Sequence, residues 1–253
     1  MYVRAVKSCL TFKRMFNILI LNYHFKYKFH TFILYMVKTN KNIKNTKQRV
    51  LESACLVFAE KGYRDANIGE ICKLASANRA AVNYYFSDKE ELYLQVWRYA
   101  YKTATESIPI DGGLNTNSPP EDQLRAFIFA LLKRIFSKTP AGYLPKLMVR
   151  EMAEPTEIFE EIFHKIIIPQ IDQLFSIIRQ LLGDNVNEKQ AHLAGISVMS
   201  QCMYFSFNKA IRQRHFKEEG NLQEIINLLA DHITRFSLAG IREISERCEG
   251  RTL

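Results

Sequence analysis

The stretch that most constrains this chain runs from Asn67 to Lys89, NIGEICKLASANRAAVNYYFSDK. Ile68, Ile71, Cys72 and Ala75 recur at helical spacing, which predicts a short helix whose apolar stripe must be buried. Asn67 stands at the N-cap position, with Glu70 three residues on to close a capping box. Ser76, Ala77 and Asn78 separate this run from a second one, in which Val82 and Phe86 point inward and Asn78 is placed to cap. Two short helices across a three-residue turn have helix-turn-helix spacing. The second helix would expose Arg79, Ala80 and Asn83 in its first turns, where a recognition helix meets base edges in a DNA major groove. Tyr84, Tyr85 and Lys89 follow as hydroxyl and ammonium donors suited to phosphates. Ser87 with Glu90 forms another capping box, so a further helix is expected to open there.

With TKQRVLESACLVFAEKGY before that stretch and KEELYLQVW after it, residues 46–97 resemble the DNA-binding domain of TetR-family transcriptional regulators. By that resemblance Tyr63 plugs a three-helix core, and Asn67 stands where the family usually has a threonine that caps the helix and touches phosphate. Asparagine can do both. Ser76 occupies a turn position that is commonly glycine in the family, so it must adopt or avoid a positive φ at some cost. Gly69 lies inside the helix that Asn67 caps, where glycine is a poor helix former. Asn83 replaces a common aromatic residue, so the operator sequence does not carry over from better-known relatives. Outside such a motif, Arg79 and Asn83 would read as solvated polar positions; within it they are expected to contact bases or backbone.

The preceding helix is expected to be capped by Thr46, with Val50, Ala54, Val57 and Phe58 on its buried side and Gly62 as its left-handed stop after Lys61. Eleven of the 35 basic residues precede Glu52 and none of the 26 acidic residues does, so the net charge of +9 is an N-terminal property. Residues 1–45 form a basic extension with two readings: an arm that touches DNA or membrane, or translation upstream of an authentic start at Met36. The second is preferred, because MVKTNKNIKNTKQR begins as such a regulator would; residues 1–35 would then not belong to the native protein. Lys38, Lys41 and Lys44 suit phosphates or the minor groove, and a solvated tail is the competing reading. The apolar runs there are shorter than the roughly 20 residues that span a bilayer, and no cleavage site follows them, so a cytoplasmic protein without stable membrane insertion is expected.

Beyond residue 92 the periodicity stays helical, giving about nine helices and no convincing strand, an all-α chain. A fourth helix carries Leu92, Val96, Trp97 and Ala100 and ends before the loop IPIDGGLNTNSPP. Pro119 and Pro120 introduce a helix to about Lys138 with Leu124, Phe127, Ile128, Leu131 and Ile135 buried. A short helix spans Leu144 to Ala153, and another runs from Pro155 to Leu182 with a kink expected at Pro169. Long helices are expected from Glu188 to about Arg214 and from Leu222 to Arg247. The domain division is 1–45 extension, 46–92 helix-turn-helix domain, and 93–253 helical effector-binding and dimerisation domain.

KLMVREMAEPTEIFEEIFHKIIIPQIDQL together with ISVMSQCMYFSF is similar to the C-terminal half of a CecR-like branch of the family. The resemblance implies a ligand pocket in the helical bundle and a homodimer made chiefly by the last two long helices. Ala191, Ala194, Gly195 and Ser197 are small enough for close helix approach. Leu222, Ile225, Ile226, Leu229, Ile233, Phe236 and Leu238 give the final helix an apolar face that could equally be internal core. Polar groups set among apolar helices make Arg150, Glu151, Gln201, Tyr204 and Asn208 pocket candidates, with Met148, Met152, Met203 and Phe205 as adaptable walls. The alternatives are a structural or surface Arg150–Glu151 pair and methionines that simply fill core. A small apolar or amphipathic effector is the expected ligand.

No Walker loop, GxSxG or HExxH occurs, the six histidines are scattered, and the five cysteines show no metal spacing, so neither an enzyme nor a cofactor or metal site is expected. What the residues do suggest is a ligand-responsive repressor that binds a palindromic double-stranded DNA operator as a dimer. The alternative is a less specific nucleic-acid or membrane-associated basic helical protein.

Overall fold

The computed structural model of the protein describes residues 46–115, 117–183, 187–207 and 221–248. Every regular element among them is a helix. α1 covers 46–65, followed by α2 (Ile68–Ala75), α3 (Arg79–Phe86) and α4 (Lys89–Ser107). Thr46, expected as the cap of α1, already lies within the helix. Gly62 takes the anticipated left-handed φ of 79°, although helical bonding carries on through 65 rather than stopping at Lys61.

The described residues from Arg49 onward form one compact unit. Its first core gathers Val50, Ala54, Val57 and Phe58 of α1, Ile71, Cys72 and Ala75 of α2, and Val82 and Phe86 of α3. Leu92, Tyr93, Val96 and Trp97 of α4 complete it. Tyr63 packs against this core, its ring centroid 5.0 Å from that of Tyr93, the plugging role the resemblance implied. The same core takes in Leu144 and Leu147 and then Ile162, Ile166 and Ile167, so apolar packing continues across residue 92 without a seam.

The body comprises α5 (Pro120–Phe136), a 3-10 turn (Pro140–Gly142), α6 (Tyr143–Ala153), α7 (Phe159–Ile162), a π turn (Phe163–Ile167), α8 (Ile168–Leu182), α9 (Glu188–Phe207) and α10 (Leu222–Cys248). α5, α8, α9 and α10 enclose a second core that includes Leu124, Ile128, Leu132, Ile178, Val198 and Ile233. The helix expected from Pro155 begins instead at Phe159, and its irregularity is a π turn in place of a simple kink. The Ile168 N–H reaches back five residues to the Phe163 carbonyl. Pro169 has no N–H and its ring crowds the carbonyl four residues back, that of Lys165, which sits inside this turn.

Gly195 lets α9 close on α8. A Cβ there would lie 2.4 Å from the Phe175 ring, and Ala191 and Ala194 are buried beside it. Gly195, Ala191 and Ala194 thus serve the close helix approach expected of small residues, here between α9 and α8. The final helix divides its apolar residues: Ile226, Leu229 and Ile233 are core, while Leu222, Leu228 and Phe236 are exposed. Cys55, Cys72 and Cys202 are buried free thiols, and burial pushes the Cys202 thiol up to about 12.

Candidate nucleic-acid interface and effector cavity

The helix-turn-helix unit is built by its caps. The Asn67 side chain accepts the Gly69 N–H at 2.7 Å and the Asn78 side chain accepts the Ala81 N–H at 2.8 Å, each satisfying a donor that the first turn leaves open. Between them the turn is made by Ser76 in the left-handed conformation, φ 48° and ψ 48°, with the Ala77 N–H bonded to the Cys72 carbonyl. Two capping details differ from expectation. Glu70 does not close a box on Asn67, because its carboxylate pairs with the Lys61 ammonium at 2.7 Å. Asp88, not Ser87, caps α4, accepting the Glu91 N–H at 2.8 Å. Ser87 instead terminates α3, with φ 55° and its N–H on the Asn83 carbonyl, which moves the cap one residue along to a carboxylate favoured by the helix dipole.

With Val82 and Phe86 turned inward, α3 presents Arg79, Ala80, Asn83 and Tyr84 outward, and Tyr84 is 79% exposed. No acidic residue lies in α3, and Arg79 has no ion-pair or hydrogen-bond partner among the described residues. Tyr85 is half-buried with its ring 5.0 Å from that of Tyr84. Lys89 is less free than its sequence position suggests. Its ammonium donates to the Arg64 carbonyl at 3.2 Å and sits 4.8 Å over the Tyr63 ring, and partial burial lowers its pKa. Asn67 is exposed at the N-terminal end of α2, and Lys44 lies outside the described residues.

In the body, a cavity of about 360 Å³ opens among α5, α6, α8, α9 and the π turn. That falls at the lower end of the range for small-molecule sites. Met148, Met152 and Met203 line it, as expected of adaptable walls, along with Phe127, Phe159 and Phe163. The polar candidates lie elsewhere. Arg150 donates to the Glu60 carbonyl. Glu151, 1% exposed, accepts the Tyr93 hydroxyl at 2.6 Å and the Thr156 N–H and hydroxyl at 2.8 and 2.6 Å. Burial and then the bond to Glu151 raise the Tyr93 pKa well above the usual phenol range. Gln201 bridges to Ser237 of α10 at 3.3 Å, Phe205 packs on Phe136, and Tyr204 is half-exposed. The helical period explains the miss: α9 turns Ile196, Met199, Ser200 and Met203 to the cavity, and Gln201, Tyr204 and Phe205 are out of phase with that set. Asn208 lies outside the described residues.

The polar wall is supplied by residues that sequence reasoning passed over, Arg134 of α5 and Gln170 of α8. Arg134 is 2% exposed; its Nε and Nη2 donate to the Ile108 carbonyl at 2.9 and 2.7 Å, and its Nη1 donates to Gln170 at 2.9 Å. Its position was detectable, because 134 is in phase with Phe127 and Leu131 on the buried face of the helix. Among the described residues there is no cluster of three metal-ligating side chains and no helix long and apolar enough to cross a membrane.

A capped helix-turn-helix continuous with a helical body is the architecture of a transcriptional regulator. Residues 50–96 match the family described as bacterial regulatory proteins, tetR family, and residues 120–241 match the C-terminal domain of the HTH-type transcriptional dual regulator CecR. The chain belongs to the TetR/AcrR family of transcriptional regulators, with a CecR-like C-terminal domain. It is 33% identical over 60 residues to the HTH-type transcriptional regulator AcrR of Shigella flexneri, covering 24% of this chain and 28% of that one. Over 62 residues it is 36% identical to the HTH-type transcriptional repressor AcnR of Corynebacterium diphtheriae, 24% of this chain and 33% of that one. The first curated relatives are matched over 28% to 57% of their own length, less than two thirds. A TetR-like transcriptional regulator from Rhodococcus sp. RHA1 superposes with a TM-score of 0.54 at 16% identity, covering 77% of this chain and 96% of that one, a likeness of fold.

Proposed function

We propose that the protein is a sequence-specific DNA-binding repressor that acts as a homodimer on a palindromic operator and is released by a small apolar or amphipathic effector. In this reading residues 46–92 read DNA, while residues 93–253 bind the effector and dimerise. The observation that carries it is the outward face of α3. Arg79, Ala80 and Asn83 are exposed on a helix whose cap and apolar face are already satisfied by the rest of the fold. Asn67, Asn78, Tyr84, Tyr85 and Lys89, with Thr46 and Lys44 before them, would hold the backbone, and Lys89 must release the Arg64 carbonyl to do so. Repression is supported by the name of the Corynebacterium diphtheriae relative, and an effector by the cavity. Exposed apolar residues on α9 and α10 support a dimer, since neither helix covers them within the chain.

The test is selection of bound sequences from random duplex DNA, with wild type and an Arg79→Ala, Asn83→Ala variant at fixed salt. Enrichment of an inverted repeat is expected, and its loss in the variant, each base contact being worth about 1–3 kcal/mol. Equal binding to all sequences by both proteins, falling steeply with salt, would instead establish the less specific basic protein.

A further inference from the structure

Arg134 is a buried cation with no carboxylate within ion-pair distance among the described residues. Its hydrogen-bond partners are both neutral, the Ile108 carbonyl and the Gln170 side-chain oxygen. A guanidinium has five N–H donors, and these contacts use three. Charged groups inside proteins are held by pairing, because the cost of removing them from water is otherwise uncompensated. Burial lowers the Arg134 pKa to about 10, which still leaves a cation at neutral pH; Tyr101 and then Asp111 offset only part of that shift. The side chain borders the cavity together with the buried Phe127 and Leu131, whereas Met152, Ile196 and Ser200 of the same lining are exposed.

A fixed positive charge in the wall of a largely apolar chamber selects for one kind of guest. We infer that the cavity takes an amphipathic organic anion, its carboxylate or equivalent acid group on Arg134 and its hydrocarbon body along Met148, Phe159, Phe163 and Met203. This rests on the cavity being the effector site and specifies the class of effector. The two free donors allow the guanidinium to meet a carboxylate, and low local polarity strengthens that attraction. The same guanidinium holds the carbonyl of Ile108, the residue that ends α4, so the head group would be joined to the end of this helix through one side chain.

Binding of octanoate, decanoate and dodecanoate to the full chain, measured by titration calorimetry beside the alcohols of the same lengths, tests the inference. The acids are expected to bind about 10- to 100-fold more tightly than the matched alcohols, the difference between a charge-assisted and a neutral hydrogen bond. Arg134→Gln should reduce that preference to within about twofold while the alcohols still bind, and Arg134→Lys should retain part of it. Equal affinities in wild type, or a preference undiminished in Arg134→Gln, would overturn the anion and leave the cavity as effector site intact. Failure of both acids and alcohols to bind, or binding unchanged by a cavity-filling Met203→Trp, would overturn both. The wild-type comparison decides the matter even if Arg134→Gln folds poorly.

Discussion

Tyr93 and Glu151 are 58 residues apart in sequence, yet their side chains meet at 2.6 Å in the interior and tie α4 to α6. Glu151 also receives two donors from Thr156, so its carboxylate is buried with three hydrogen bonds and, among the described residues, no ion-pair partner. Removing one donor leaves the desolvation of the carboxylate in place while weakening what offsets it. Tyr93→Phe is therefore expected to cost about 1.5–3 kcal/mol of folding stability, read as a lower urea midpoint at unchanged slope. A loss under about 0.5 kcal/mol would mean that water or Thr156 replaces the phenol and that the tie is not structural. Sequence placed Glu151 among pocket candidates because a carboxylate in an apolar helix has two uses, ligand anchor or internal tie. Only the distant partner separates them. Arg134 was passed over for a related reason, since an arginine on a helix most often has its head in water.

At the level of elements, the turn between α2 and α3 sets where the recognition helix points, and Ser76 is its strained residue. A non-glycine residue at φ 48° carries a steric penalty that glycine does not. Ser76→Gly is expected to stabilise the protein by about 1 kcal/mol, raising the thermal midpoint by about 2–4 °C, with the operator selected from random DNA unchanged. A lower midpoint would show that the serine makes a compensating interaction in the folded state. This unit was legible because its determinants are local: Asn67 and Asn78 cap within three residues, and the stripes of Ile71, Ala75, Val82 and Phe86 repeat at the helical period. Legibility failed where the competition was between neighbours or with distant groups. Asp88 outcompeted Ser87 for the α4 cap, Lys61 took Glu70, and the π turn before Pro169 depends on a single missing N–H whose effect on a long helix is hard to place. The cavity itself combines residues from α5 to α9, and no periodicity within one helix reveals which faces converge.

For the whole molecule, the two long helices α9 and α10 carry several large exposed apolar residues. Leu193 and Ile196 project from one helix, and Leu228 and Phe236, 63% and 65% exposed, project from the other. Leu228, His232, Arg235, Phe236 and Ala239 lie along one exposed side of α10, a mixed face on which Leu228 and Phe236 are the large apolar residues. A two-fold dimer would bury that face against its own copy, and two α3 helices would then address two half-sites, matching a palindrome by symmetry. A single subunit has one short reading helix and correspondingly few base contacts, so its specific affinity should be weak. Leu228→Glu combined with Phe236→Glu places like charges on both sides of the proposed seam without touching the buried Ile226, Leu229 and Ile233. Sedimentation velocity is expected to show a monomer with an unchanged helical circular dichroism spectrum, and operator binding should weaken by about 30-fold or more. A variant that stays dimeric would move the interface elsewhere. A monomer that kept full operator affinity would break the link between symmetry and reading. Ile196 makes the first result informative about the effector as well, because it belongs both to this exposed face and to the wall of the cavity. Loss of the partner should then alter acid binding too, which would place effector and dimer in one energetic unit through α9.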